Sequence, residues 1–188
     1  MNQVSDRLNR LAESATLAMA RMSRELQAKG INVIALSLGE PDFDTPEFIK
    51  EAAKKAIDDN FSHYTPVPGL PELRSSISAK FKRDNDLEYT PDQIVTSTGA
   101  KQSLANVCLS LLNPKDEVLL PCPYWVSYSE IIKLAEAIPV KVKSTIESDF
   151  KVTPEQLEES ITAKTKMIMF SSPCNPSGTV YTKSELEA

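Results

Sequence analysis

The chain has 188 residues, 41% of them apolar and 25% charged, which is enough for one domain, or one domain and part of a second, built around a core. Its 21 Lys and Arg against 26 Asp and Glu leave a net charge of −5 with no basic run, so the counterion release that drives nucleic-acid binding is missing. No apolar stretch reaches the length of a membrane span, and Met1 to Asp6 hold no basic region followed by an apolar core, so neither a membrane nor a signal peptide is expected.

In chain order, Leu8, Leu11, Ala15, Ala18, Met22 and Leu26 recur three or four apart and Gly30 closes the stripe, which predicts an N-terminal helical arm broken near Ser14. Residues 31–38 (INVIALSL) predict a strand ending at the Gly39-Glu40-Pro41-Asp42 turn. Thr45-Pro46 predicts a capped helix over 46–59. A proline-rich loop, His63 to Gly69, precedes a helix over 70–83. From residue 92 the pattern alternates: strand 94–98, helix 100–112, strand 117–120, helix 125–137, strand 138–143, a helix opened by Thr153-Pro154, and strand 166–171. That alternation predicts an α/β fold with a mostly parallel sheet and helices on both faces, a three-layer αβα arrangement. The last residues, Lys183 to Ala188, look like the first turn of another helix, so a truncated polypeptide is expected.

The residue inventory excludes several chemistries. The closest pair of the five glycines, Gly30 and Gly39, is nine residues apart, which removes both the dinucleotide fingerprint and the P-loop. His63 is the only histidine, so His-rich metal sites are excluded and a Ser-His-Asp triad has one possible centre. Cys108, Cys122 and Cys174 are odd in number and form no CxxC pair, which fits a reducing, cytoplasmic setting.

Ligands of open α/β sheets bind beyond the carboxyl ends of the strands, and three such loops are unusual. Ser97-Thr98-Gly99-Ala100-Lys101-Gln102 runs through one glycine into a helix N-terminus, where N–H groups, hydroxyls and a lysine suit a phosphate; a capped helix start with a solvated lysine is the plainer alternative. Pro121-Cys122-Pro123-Tyr124-Trp125 carries the only tryptophan, able to stack on a flat ring or to serve as a core aromatic. Ser171 to Gly178 holds Asn175 between constrained residues, as a ligand donor or as the closer of an Asx turn. Together they describe a site for a planar, phosphorylated cofactor. Glu40, Asp42 and Asp44 are better explained by turn capping, His63 as a loop residue, and Arg74 as a helix-start residue bound to nearby carbonyls or carboxylates.

Ser37-Leu38-Gly39-Glu40-Pro41-Asp42-Phe43, Tyr64, Gly69 to Arg74, Ser97 to Lys101, Pro123-Tyr124-Trp125 and Asn175-Pro176-Ser177-Gly178 occur in this order. The order resembles class I aminotransferases dependent on pyridoxal 5′-phosphate, most of all the bacterial aspartate aminotransferase branch, over the N-terminal half of such an enzyme. The resemblance implies a partial large domain of the fold-type I transferase kind, with residues 1–45 as arm and start of the small domain and 46–188 as the N-terminal part of the cofactor-binding large domain. It implies that the N–H groups of Gly99, Ala100 and Lys101 hold the cofactor phosphate and that Tyr64 reaches that phosphate from the neighbouring subunit of a homodimer. Trp125 would stack on the pyridine ring, and Asn175 would bond its phenolic oxygen and support the substrate carboxylate, which the Gly39 backbone also touches. Ser14, Thr16 and Lys101 would face the distal carboxylate of a dicarboxylic substrate.

The activity implied is amino transfer between an amino acid, with aspartate first, and a 2-oxo acid. Prephenate-using relatives carry a basic residue where Ala12 stands here. A prephenate aminotransferase, a carbon-sulfur lyase or a non-catalytic cofactor-binding module are the alternatives. The family's Schiff-base lysine, its pyridine-nitrogen aspartate and its carboxylate-clamping arginine would lie beyond Ala188, which implies no catalytic residue within this chain and no transamination by it alone.

Overall fold

A computed structural model describes residues 4–36 and 38–188. Ser37, the first residue of the Ser37 to Phe43 motif, and Met1 to Gln3 lie outside the described residues. Chain contacts gather into two units, Met1–Leu38 with Leu104–Ala188, and Gly39–Ser103.

The first unit is built on a parallel sheet of three strands among the described residues, β1 (Glu117–Pro121), β2 (Ile138–Val142) and β3 (Thr165–Ile168), in the order β2-β1-β3. β1 is central because its side chains can be covered on both faces: Val118, Leu119 and Leu120 are all buried. A strand alternates its side chains, and each face meets its own helices. Val118 and Leu120 pack with Cys108 and Leu112 of the segment containing α5 (Ala100–Leu111) and with Tyr128, Ile131 and Ile132 of α6 (Ser127–Leu134). Leu119 packs on the other side with Val142, Val152 and Leu157, the last on α7 (Pro154–Ser160). This is the three-layer αβα arrangement expected. Thr153 caps α7 with a reciprocal bond to Gln156 and Pro154 at the first turn, as the Thr-Pro pair predicts.

The arm consists of α1 (Asp6–Asn9) and α2 (Ala15–Ala28), and the break falls where expected, with Ser14 as the N-cap of α2. The second unit holds α3 (Glu47–Asp58) and α4 (Pro71–Asn85). Arg74 is nearly buried and donates through Nε to the Pro91 and Ile94 carbonyls at 2.8 and 3.1 Å and through a terminal nitrogen to Asp92 at 3.0 Å, which is the structural role expected of it. α3 opens with Pro46 as N-cap and no side-chain cap bond, one residue later than the Thr45 cap predicted.

Two predicted strands do not form. The described residues of 31–38 join no ladder, and Ile34 and Leu36 are 84% and 91% exposed; β-branched composition makes no strand without a neighbouring strand to bond. Residues 94–98 likewise form no ladder: Thr96 donates to the Pro68 carbonyl through its N–H at 2.9 Å and its Oγ1 at 3.2 Å, a tie to a proline loop. The strand predicted over 166–171 pairs only to Ile168, with one further bond from Met169 N–H to the Leu119 carbonyl at 2.9 Å. The next rung would need an N–H from position 121, where proline has none.

Candidate functional site

The candidate residues divide between the units: Gly39, Tyr64, Gly99, Ala100 and Lys101 belong to Gly39–Ser103, and Ser14, Thr16, Trp125 and Asn175 to the other.

In the Gly39–Ser103 unit, the turn before α5 is shaped by Gly99, whose φ of +82° is left-handed and whose missing Cβ would meet nothing within 4 Å. With glycine at the cap, α5 has no side chain there to serve its first N–H groups. Gln102 reaches back one residue further and accepts the Thr98 N–H at 2.5 Å, while the Gly99 N–H bonds the Ser97 carbonyl at 2.9 Å. The left-handed glycine brings the chain into α5 beside open space, with nothing within 4 Å of where a Cβ at position 99 would stand. That is a fit for a phosphate: an anion at the positive end of a helix, approached closely by backbone.

The loop carrying Tyr64 is tied to the same turn's approach. Thr96 donates to the Pro68 carbonyl through both N–H and Oγ1. A Cβ on Gly69, whose φ is +105°, would stand 2.0 Å from Thr96 Oγ1, so this close approach requires glycine. Tyr64 is fully exposed, and Gly39 and His63 are exposed.

In the other unit, the parallel strands deliver their following loops to one end of the sheet. The loop after β1 carries half-buried Trp125, set edge-to-face against Tyr128 with ring centres 5.6 Å apart. Ser144, after β2, donates to the Cys122 carbonyl. The loop after β3 meets the loop after β1 through Cys174 Sγ and the Pro123 carbonyl at 3.4 Å, which brings the segments of Trp125 and Asn175 together. The Asn175 turn is closed by backbone bonds between Cys174 and Thr179 and between Gly178 and Cys174, and the Asn175 N–H bonds Ser171 Oγ at 3.2 Å. Asn175 itself is exposed. Burial pushes the Cys122 thiol up, against the lowering effect of Lys141 and Lys143, so it is no reactive thiolate.

Ser14 accepts the Leu17 N–H at 3.5 Å, and Thr16 follows it in the first turn of α2. Sequence reasoning missed Gln102 and the Cys174 to Pro123 contact. A Gln three residues past the cap was a visible signal for the first; nothing local signals the second.

An αβα parallel sheet with these loops at the carboxyl ends of its strands is the architecture of fold-type I transferases, and solved structures agree. The chain superposes on the aspartate aminotransferase of Thermus thermophilus with maleate at a TM-score of 0.95 and 42% identity, covering 100% of this chain and 49% of that one. The aminotransferase class I and II family matches residues 31–188, and the chain belongs to that family. It is 52% identical over 185 residues to the aspartate/prephenate aminotransferase of Cereibacter sphaeroides, covering 98% of this chain and 46% of the relative. It is 47% identical over 184 residues to the aspartate aminotransferase of a Bacillus species, strain YM-2, covering 98% and 47%. The chain thus spans about half the length of the curated relatives it matches.

Proposed function

We propose that this chain is the N-terminal half of a pyridoxal-phosphate-dependent aminotransferase that moves an amino group between aspartate and a 2-oxo acid. The observation that carries the reading is the Gly99 turn, a left-handed glycine with open space above it at the start of a twelve-residue helix, within a family whose members are aminotransferases. Pyridoxal phosphate supplies an electron sink that stabilises negative charge at the substrate's α-carbon. The chain's own residues bind and orient. The N–H groups of Ala100 and Lys101 hold the phosphate at the turn that Gly99 shapes, the Gly99 N–H being bonded to the Ser97 carbonyl; Trp125 lies along the ring, and Asn175 donates to its phenolic oxygen and supports the α-carboxylate beside the Gly39 backbone. Lys101, Ser14 and Thr16 read the distal carboxylate. Tyr64, fully exposed on its own chain, reaches the phosphate of a second copy in a homodimer. Residues 1–45 serve as arm and start of the small domain, 46–188 as part of the large domain, in a cytoplasmic enzyme. No described helix is long and apolar enough to cross a membrane.

Prephenate is the second reading, favoured by the name of the Cereibacter sphaeroides relative; Ala12, where prephenate-using members carry a basic residue, speaks for aspartate. The test is turnover by the full-length protein with pyridoxal phosphate and 2-oxoglutarate, offering aspartate, and by the 188-residue chain alone. The full-length protein should transaminate aspartate and the chain alone should not exceed the free cofactor. A full-length protein inactive on aspartate and active on glutamate with prephenate would overturn the substrate; turnover by the chain alone would overturn the division of labour.

A further inference from the structure

Two carboxylates hold the N-terminal arm to α6. Glu130, on α6, divides its oxygens: Oε2 accepts the Ala12 N–H at 2.9 Å, while Oε1 accepts from Lys133 at 2.8 Å and from Ser129 at 3.1 Å. Glu136, just past the end of α6, accepts from Arg10 on Oε1 at 2.5 Å and from Arg7 on Oε2 at 3.3 Å. These bonds join residues 118 to 129 positions apart, and α1 packs directly on α6. Ala12 stands two residues before Ser14, the cap that starts α2.

The backbone at Glu136 supplies an independent observation. Its φ is +62°, and it occupies the left-handed position that closes α6, with its own N–H on the Lys133 carbonyl at 2.9 Å and the Ala137 N–H on the Ile132 carbonyl at 3.1 Å. Glycine is the residue this closure favours. A glutamate here is a local disadvantage, and its carboxylate bonded to two arginines of the arm is the visible compensation.

We propose that Glu130 and Glu136 are positioning residues that anchor the arm on α6 and thereby set where Ser14 and Thr16 stand to read the substrate's distal carboxylate. The substrate half of this inference rests on the proposed function; the anchoring half rests on the contacts alone.

Glu136→Gly tests it, because that variant removes the carboxylate while giving the backbone its favoured residue, so the fold is kept. In the full-length protein, hydrogen exchange of the amides of residues 8–18 should quicken roughly 2- to 10-fold, the effect of losing two exposed ion pairs, with the amides of β1 unchanged. Glu136→Gln, which keeps the length and loses the charge, should behave alike. KM for aspartate should rise by a similar factor, while kcat and the KM for an apolar amino acid hold. Unchanged arm exchange would overturn the anchor, and faster exchange with an unchanged aspartate KM would overturn the positioning role. Failure of the proposed function reads differently: the unmutated protein then shows no aspartate turnover at all, and arm exchange still decides whether the carboxylates anchor it.

Discussion

Gly69 and Gly99 are both left-handed, but for different reasons that mutation can separate. At Gly69 the constraint is a neighbour, since a Cβ would stand 2.0 Å from Thr96 Oγ1. Gly69→Ala should therefore destabilise by about 2 kcal/mol or more, the sum of a clash and an unfavourable φ. In a Thr96→Ala background the same change should cost less, because the Oγ1 clash is gone and only the position-96 Cβ at 3.1 Å and the left-handed backbone remain; urea melts of the four proteins give the coupling, and equal costs in both backgrounds would remove Thr96 from the explanation. At Gly99 the space is open, so there the cost of a side chain to the fold is the left-handed backbone alone, about 1 kcal/mol. The contact proposed between Lys101 and the distal carboxylate is charge-assisted and would be worth about 1.5 to 3 kcal/mol. Lys101→Ala should accordingly lower kcat/KM for aspartate about 10- to 100-fold in the full-length enzyme and leave an apolar amino acid far less affected. Equal losses on both would place Lys101 with the cofactor or the fold.

At the scale of elements, β1 carries the sheet, because among the described residues it is the strand that bonds two neighbours and buries both faces. Leu120 is fully buried between α5 and α6, and Leu120→Ala should cost about 2 to 5 kcal/mol in a urea titration; a loss below about 1 kcal/mol would mean that this face repacks freely. β1, α6, β2 and α7 were legible in the sequence because each carries its signal locally: an apolar run flanked by turn residues, or a Thr-Pro cap. The segments 31–38 and 94–98 misled for one physical reason. Period and composition describe a side-chain face, whereas a strand also needs a partner backbone, which these segments do not find among the described residues. The same distinction applies to the site. Gly99, Trp125 and Asn175 were legible as loop residues after apolar runs, while Glu130 and Glu136 look like ordinary helix-surface charges until the arm is seen folded on them.

For the whole molecule, the arm's attachment is electrostatic and so depends on pH. Burial pushes the Glu130 carboxyl up, but Lys133, the Ala12 N–H and Ser129 outweigh it and leave the group below the usual carboxylate range. Arg10 first, with Arg7 adding to it, holds the Glu136 carboxyl below the usual carboxylate range against its desolvation. A carboxylate lowered on docking contributes its stabilisation above its undocked pKa and loses it as pH falls through the docked value. The arm should hold at neutral pH and loosen at and below about pH 4, visible as faster cleavage of the arm by an acid protease; cleavage between residues 4 and 14 at a constant rate relative to unfolded chain from pH 6 to pH 3 would contradict it. The central claim is that the Gly99 turn receives the phosphate of pyridoxal phosphate. A crystal structure of the full-length protein grown with the cofactor tests it most directly. The phosphate oxygens should lie within hydrogen-bonding distance of the Ala100 and Lys101 N–H groups with Trp125 along the ring, and a phosphate bound more than one water layer from those amides would contradict the account.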